Sequence, residues 1–320
     1  MLYDLIIVGG GPTGINVAVA AQKAGLNYLV VEKGVLVNSL FHFPANMTFF
    51  STSKNLEIAD IPFISHTEKP TRREALEYYR RIVENYELNI NYYEPAEQLT
   101  QTSQGYELKT SKNTYQTKNI AVTTGFYDTP RMLNIPGEDL PKVKHYYDEV
   151  HPYVNQKVLV IGAANSACDV ALECWQKGAS EVTMAIRSHE IYPRVKYWIR
   201  PNIDNRIKEG SIKAHFDTDV IEITSQSATL KNKDKTWTID NDFVLAMTGY
   251  QPDYALLKNL LVPISGEYDK PEFNPDTLET TQKGIYDAGV LNAGRRTSEL
   301  FIENTRDHGS IIVNSIMASS

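Results

Sequence analysis

Apolar residues in this chain gather in short unbroken runs, each closed by glycine or a polar turn. Leu5–Val8 and Tyr28–Val31 are two such runs, the pattern of strands buried on both faces of a parallel sheet. Between them Ile15–Lys23 is rich in alanine and predicts a closely packed helix. Residues 34–70 lose periodicity and carry Phe41, Phe43, Phe49 and Phe50; irregular structure covering a bound molecule is expected there. Thr71–Tyr86 reads as a helix, with Thr71 as cap, Glu74 completing a capping box and apolar residues at helical spacing. Asn89–Val122 alternates polar and apolar residues in short stretches, among them Tyr106–Thr110 and Ser111–Tyr115. That predicts a small antiparallel meander. Asn119–Gly125 is a further buried strand ending in Thr124 and Gly125.

The order then repeats. Lys157–Ile161 is a strand, Gly162–Ala167 a turn, Asp169–Gln176 a helix ended by Gly178, and Glu181–Ile186 the next strand. Phe243–Gly249 closes this second unit as a strand ending in Thr248 and Gly249. Gly284–Gly289 is a last strand and Ser310–Met317 a C-terminal helix. An internal repeat of nucleotide-binding units is expected. The fold class is α/β: two Rossmann-like domains, each with a central, mostly parallel sheet and a small antiparallel meander. Residues 1–152 with 248–320 are expected to form one domain and 153–247 the other.

Composition narrows the picture. The chain has 320 residues, 42% hydrophobic and 22% charged, ordinary for a globular protein of about two domains. A net charge of −7 argues against a nucleic-acid or membrane-surface partner. No apolar run reaches the roughly 18 residues that span a bilayer, and the direct run into the first strand leads to the expectation of no secretory signal. The two cysteines, Cys168 and Cys174, lie on one predicted helix and point about 120° apart, which precludes a disulfide between them. They read as small hydrophobes in a reducing, cytoplasmic setting. No metal-ligand cluster is visible.

The candidate chemistry lies at the two strand-to-helix turns. Gly9, Gly11 and Gly14 follow the first strand at the dinucleotide-binding spacing, and Glu32 ends the second strand. Gly9 permits the tight turn, Gly11 the approach of a pyrophosphate and Gly14 the packing of helix on strand. The helix N-terminus offers free N–H groups to the phosphates, and Glu32 accepts from a ribose hydroxyl. In the repeat, Gly162, Ala164 and Ala167 occupy the three positions, so a methyl narrows the central approach. The following strand leads into Arg187 and Ser188, with His189, Arg194, Lys196 and Arg200 beyond. An arginine in place of the acid suits a 2′-phosphate, so NADPH rather than NADH is expected. Tyr192 and Lys196 have the spacing of a short-chain dehydrogenase pair, but Pro193 interrupts it and the two-domain plan excludes that family.

With these motifs the chain resembles the thioredoxin-reductase-like flavoproteins over its whole length, and more closely the bacillithiol-disulfide (bacilliredoxin) reductases. The stretches that carry the closer resemblance are Thr48–Ser51, Asp60–Phe63, Asp139–Tyr146, Asn165–Ala167, Gly249–Tyr254, Phe301–Asn304 and His308–Gly309. The resemblance implies FAD held by Gly9, Gly11, Pro12, Thr13, Gly14, Glu32, Lys33, Phe50, Thr124, Gly125, Gly289 and Val290. It implies NADPH held by Gly162, Ala164, Asn165, Ser166, Ala167, Arg187, Ser188, Arg194 and Lys196. It also implies hydride transfer from NADPH through FAD to a small-molecule disulfide or a small redox protein, in a homo-oligomer. Thr13 and His308 are the candidate catalytic residues, with His42 and His145 as further proton donors. Two departures matter. No Cys-x-x-Cys pair exists, which excludes thioredoxin reductase activity. Thr13 stands where the family carries a cysteine, so disulfide reduction would need direct attack by reduced flavin, a partner thiol or another substrate. Val290, by contrast, agrees with the closer family, which is apolar where many such flavoproteins have aspartate. Alternatives are a ferredoxin- or flavodoxin-NADP reductase and a nucleotide-binding redox sensor without turnover.

Overall fold

The structure is a computed structural model and describes residues 1–319. The chain forms two compact units, Met1–Thr129 with the stretch from Tyr250 onward, and Pro130–Gly249. The main sheet of the first unit runs, in spatial order, Ile90–Asn91, Tyr28–Val31, Leu2–Val8, Thr114–Val122, Gly105–Thr110 and Ala96–Thr102. The first four strands are parallel and the last two antiparallel. Leu5, Ile7 and Val30 pack under the helices Pro12–Lys23, Arg72–Tyr86 and His308–Ala318. Ile6, Val8, Leu29 and Val31 pack on the other face with the meander and Tyr254–Leu260. Coverage of both faces is why these strands read as unbroken apolar runs.

Most expected elements are present, with shifted ends. The first helix starts at Pro12 rather than Ile15, because proline lacks only an N–H that a first helical turn leaves unused. The capping box is formed: Thr71 N–H donates to Glu74 Oε2 at 2.7 Å and Glu74 N–H to Thr71 Oγ1 at 3.3 Å. The expected strands Ser111–Tyr115 and Asn119–Gly125 are instead one strand, Thr114–Val122. Its first half pairs antiparallel with Gly105–Thr110, and Ile120–Val122 pairs parallel with Ile285–Asp287. The strand passes from a half-exposed meander into a sheet covered on both sides, so its alternation changes midway.

In the second unit five strands are all parallel, in the order Lys213–His215, Glu181–Ala185, Lys157–Ile161, Phe243–Ala246, Val143–Lys144. A three-stranded antiparallel sheet follows, over Asp219–Ile223, Ser227–Lys231 and Thr236–Asp240. Residues 130–152, expected with the first domain, lie in this unit, because Val143 and Lys144 extend its sheet beside Val244 and Leu245. Cys168 and Cys174 are unpaired and buried in its core with Val158 and Met184. Among the described residues no helix is long and apolar enough to cross a membrane.

Asp287 ends the strand that leads to Gly289 and is fully buried. Neither carboxyl oxygen has a hydrogen-bond partner. Burial raises its pKa well above the ordinary 3.8. The Ala288 N–H beside it opposes the shift, but that group is already donated to the Val122 carbonyl. The native state therefore holds a proton that the unfolded chain releases. Stability conferred by the neutral acid is full below 3.8 and declines as pH rises toward the higher folded value. Asp287→Asn is isosteric and removes this linkage. Urea unfolding from about pH 4 to about pH 8 should show the wild type losing stability relative to the variant as pH rises. Parallel curves would show that Asp287 is not a protonated acid.

Candidate functional site

The first fingerprint divides its three glycines by task. A Cβ on Gly9, whose φ is +110°, would stand 2.8 Å from the Thr123 carbonyl oxygen, and one on Gly14 would stand 1.9 Å from the Gly9 carbonyl oxygen. Both approaches are closed to a side chain. Gly11 is the N-cap of the helix, with φ −76° and no side-chain cap, and nothing lies within 4 Å of where its Cβ would be. The space before the helix N-terminus is therefore open and faces unused N–H groups, the environment that binds phosphate. Glu32 is buried; its Oε2 accepts the Gly10 N–H at 2.6 Å and its Oε1 the Gly34 N–H at 2.8 Å. Burial raises the Glu32 pKa and those two bonds oppose it. An oriented carboxylate keeps lone pairs for a ribose hydroxyl.

Other residues expected to hold the first nucleotide gather in the same unit. The buried Thr124 hydroxyl has no partner. Gly125 has φ +68°, and a Cβ there would be 3.7 Å from Val290 Cγ2. Lys33 is paired with Asp128 at 3.0 Å, which also accepts from Asn38 at 3.4 Å. Phe50 is exposed. An open phosphate cradle, an oriented acid and an orphaned hydroxyl fit an FAD-sized dinucleotide.

Two helix N-termini meet at Gly289. Thr13, in the first turn of Pro12–Lys23, packs so closely that a Cβ on Gly289 would be 2.6 Å from its hydroxyl. His308, the first residue of His308–Ala318, accepts the Gly289 N–H on Nδ1 at 2.9 Å. Asn16 Oδ1 accepts the Gly309 N–H at 3.1 Å and ties the two helices together. The structure thus brings Thr13 and His308 to one place with Gly289 and Val290. Asn16 was not singled out from the sequence; its one signal is its position three residues after Thr13, on the same helical face.

The second unit repeats the turn with one relaxation. Gly162 has φ +134°, and a Cβ there would stand 2.5 Å from the Met247 carbonyl oxygen, as Gly9 does with Thr123. Ala164 is an N-cap with φ −94° and ψ −174°, the conformation of Gly11, so its methyl adds no backbone strain. Ala167 is fully buried and replaces the third glycine without collision. Asn165 Oδ1 accepts the Lys196 N–H at 2.9 Å, and the Tyr192 N–H donates to the Ala163 carbonyl at 3.0 Å. These bonds hold the basic loop against the turn. Ser166, Arg187, Ser188 and Arg194 are exposed, and Lys196 is half-buried with its ammonium 5.9 Å over Trp198.

The other two candidate histidines have partners of their own. His145 lies in the second unit, 3.3 Å from the buried Glu138. Glu138 in turn accepts the N–H groups of Leu133 and Asn134, so this pair anchors a loop. His42 is exposed, its Nδ1 2.9 Å from the Asn38 carbonyl.

Comparison with known proteins finds relatives along the whole chain. Bacilliredoxin reductase Bdr of Bacillus subtilis (strain 168) is 43% identical over 313 residues, 97% of this chain and 96% of that one. The solved bacillithiol disulfide reductase Bdr of Bacillus cereus superposes with a TM-score of 0.97 at 41% identity, covering 100% of both chains. That of Staphylococcus aureus superposes with a TM-score of 0.96 at 38% identity, covering 100% of this chain and 99% of the other. Residues 6–289 match the pyridine nucleotide-disulphide oxidoreductase family, and the chain belongs to that family of oxidoreductases, with the bacillithiol disulfide reductases among its near relatives.

Proposed function

We propose that this protein passes hydride from NADPH through FAD to the disulfide of a low-molecular-weight thiol. The substrate class is supported by the full-length likeness to the two Bdr structures. The nucleotides are supported by one contrast: the first fingerprint is answered by a buried acid, Glu32, and its repeat by an exposed arginine, Arg187. When bound, FAD supplies the site that accepts and then donates the hydride. The open N-terminus at Gly11 holds the pyrophosphate, Glu32 a ribose hydroxyl, and Thr124 a further polar atom. In the second unit Arg187, Ser188 and Arg194 take the 2′-phosphate. A second reading, electron transfer to a small redox protein, is favoured by the absence of any cysteine from the first unit.

His308 is positioned as a neutral donor. Because Nδ1 accepts the Gly289 N–H, the ring proton is on Nε2. Burial lowers the pKa from 6.5 to about 4, with Asp307 opposing; the helix N-terminus acts in the same direction as burial. Near neutral pH the side chain therefore offers an uncharged Nε2–H to negative charge developing beside Gly289, and it is a poor acid for full proton transfer.

Anaerobic stopped-flow mixing tests the function. The FAD-loaded protein should bleach rapidly with NADPH and slowly with NADH, then reoxidise with bacillithiol disulfide. Bleaching without reoxidation sinks the disulfide assignment and favours a protein acceptor; no bleaching sinks the enzyme. In steady state, Arg187→Ala should raise KM for NADPH roughly 10- to 100-fold, the value of a charged hydrogen bond, and leave KM for NADH unchanged. Equal losses for both nucleotides would refute the 2′-phosphate role.

For His308, nitrogen NMR near pH 7 should show a neutral Nε2–H imidazole. Between 6.5 and about 4 the unfolded chain binds a proton that the native state does not. His308 thus lowers stability progressively as pH falls through that window. His308→Gln keeps an acceptor for Gly289 without titrating, and should abolish this acid sensitivity. An imidazolium spectrum near pH 7 would overturn the assignment.

A further inference from the structure

We infer that no thiol of this chain takes part in turnover, and that the reducing pair passes from the bound cofactor straight to the acceptor. The inference rests on the reading of the protein as a flavin-dependent reductase and deepens it. Thiol relay in disulfide reduction needs a thiolate, exposed and held beside the flavin. The 320 residues contain two cysteines, and neither is an exposed thiolate. Both lie on the helix Asn165–Gln176 of the second unit, fully buried in its apolar core. Burial pushes each thiol up to about 12, with Asp169 adding to the shift of Cys168 and Glu173 to that of Cys174. At pH 7 both therefore remain thiols. The Cys168 Sγ donates to the Ala163 carbonyl at 3.8 Å, a contact within its own turn.

The first unit contains no cysteine. At the point where its two helix N-termini meet, position 13 is a threonine whose hydroxyl packs on Gly289. An alcohol forms no disulfide. Its other neighbours there, Asn16 and His308, are hydrogen-bonded to Gly309 and Gly289 and have no redox chemistry of their own. A disulfide reduced here takes one electron pair and one proton from the reduced cofactor. The S–S bond breaks, one sulfur leaves as thiol and the other as thiolate, and NADPH restores the pair. The Nε2–H of His308 is the group available to meet the thiolate charge.

Electron counting distinguishes the routes. A redox-active dithiol stores a second electron pair, so anaerobic dithionite titration of the FAD-loaded protein should consume one pair per flavin and not two. The Cys168→Ala/Cys174→Ala variant should give the same count and turnover within about twofold. In the native apo-protein Ellman's reagent should react with neither cysteine. As a positive control, Thr13→Cys should develop a long-wavelength thiolate-to-flavin absorption that the wild type lacks. Two pairs per flavin in the wild type, falling to one in the double variant, would overturn the inference. So would a more than tenfold turnover loss in that variant with its melting temperature retained. Failure of bacillithiol disulfide to reoxidise the reduced protein would sink the substrate reading instead, and the electron count would still decide the route.

Discussion

The fold depends on how closely the first helix approaches the first strand. A side chain at Gly14 would lie 1.9 Å from the Gly9 carbonyl oxygen, and Gly9 itself is pressed against Thr123. That contact sets where the helix N-terminus points, and therefore where a phosphate is received. It also fixes Thr13 and Asn16 along the helix, and through them the approach of the C-terminal helix. Gly289 and Gly309 are small because Thr13 and Asn16 already fill the space opposite them. One tight crossing thus organises residues from both ends of the chain.

The second unit shows which part of that crossing is negotiable. Gly162 repeats the strained exit of Gly9 and meets the Met247 carbonyl as Gly9 meets that of Thr123. Ala167, at the position of Gly14, keeps its methyl in the core. The turn needs its first glycine because the backbone has φ of +134° there. The third depends only on the room between helix and strand, and at Ala167 one carbon is accommodated in the core. Ala164 shares the extended conformation of Gly11, so the central position constrains what approaches the turn rather than how the turn is built.

What was legible in the sequence was local. The capping box at Thr71 and Glu74 spans three residues and formed as expected. The strand–turn–helix units were legible because glycine spacing and apolar runs act within a few residues. The candidate site was legible only as separate parts. Nothing near His308 in the sequence indicates that its Nδ1 meets Gly289, and nothing near Lys33 indicates Asp128. Residues 130–152 carry no strong periodicity, and their place follows from a two-residue pairing, Val143–Lys144 against Val244 and Leu245. Ile285–Asp287 is buried throughout, and no neighbouring residue tells that Asp287 finds no partner there.

The Gly289 corner favours negative charge without supplying a positive side chain. Two helix N-termini converge on it, and each contributes partial positive charge from unused N–H groups. A protonated histidine at this place would be repelled by the same field, and burial already lowers the His308 pKa. The group that survives is a neutral donor with a fixed tautomer. Such a site stabilises charge through oriented dipoles that do not titrate near neutrality. A thiol placed there would be driven toward thiolate by the same dipoles. Threonine at position 13 leaves that field without a sulfur to ionise, so its effect falls on whatever the cofactor and acceptor bring.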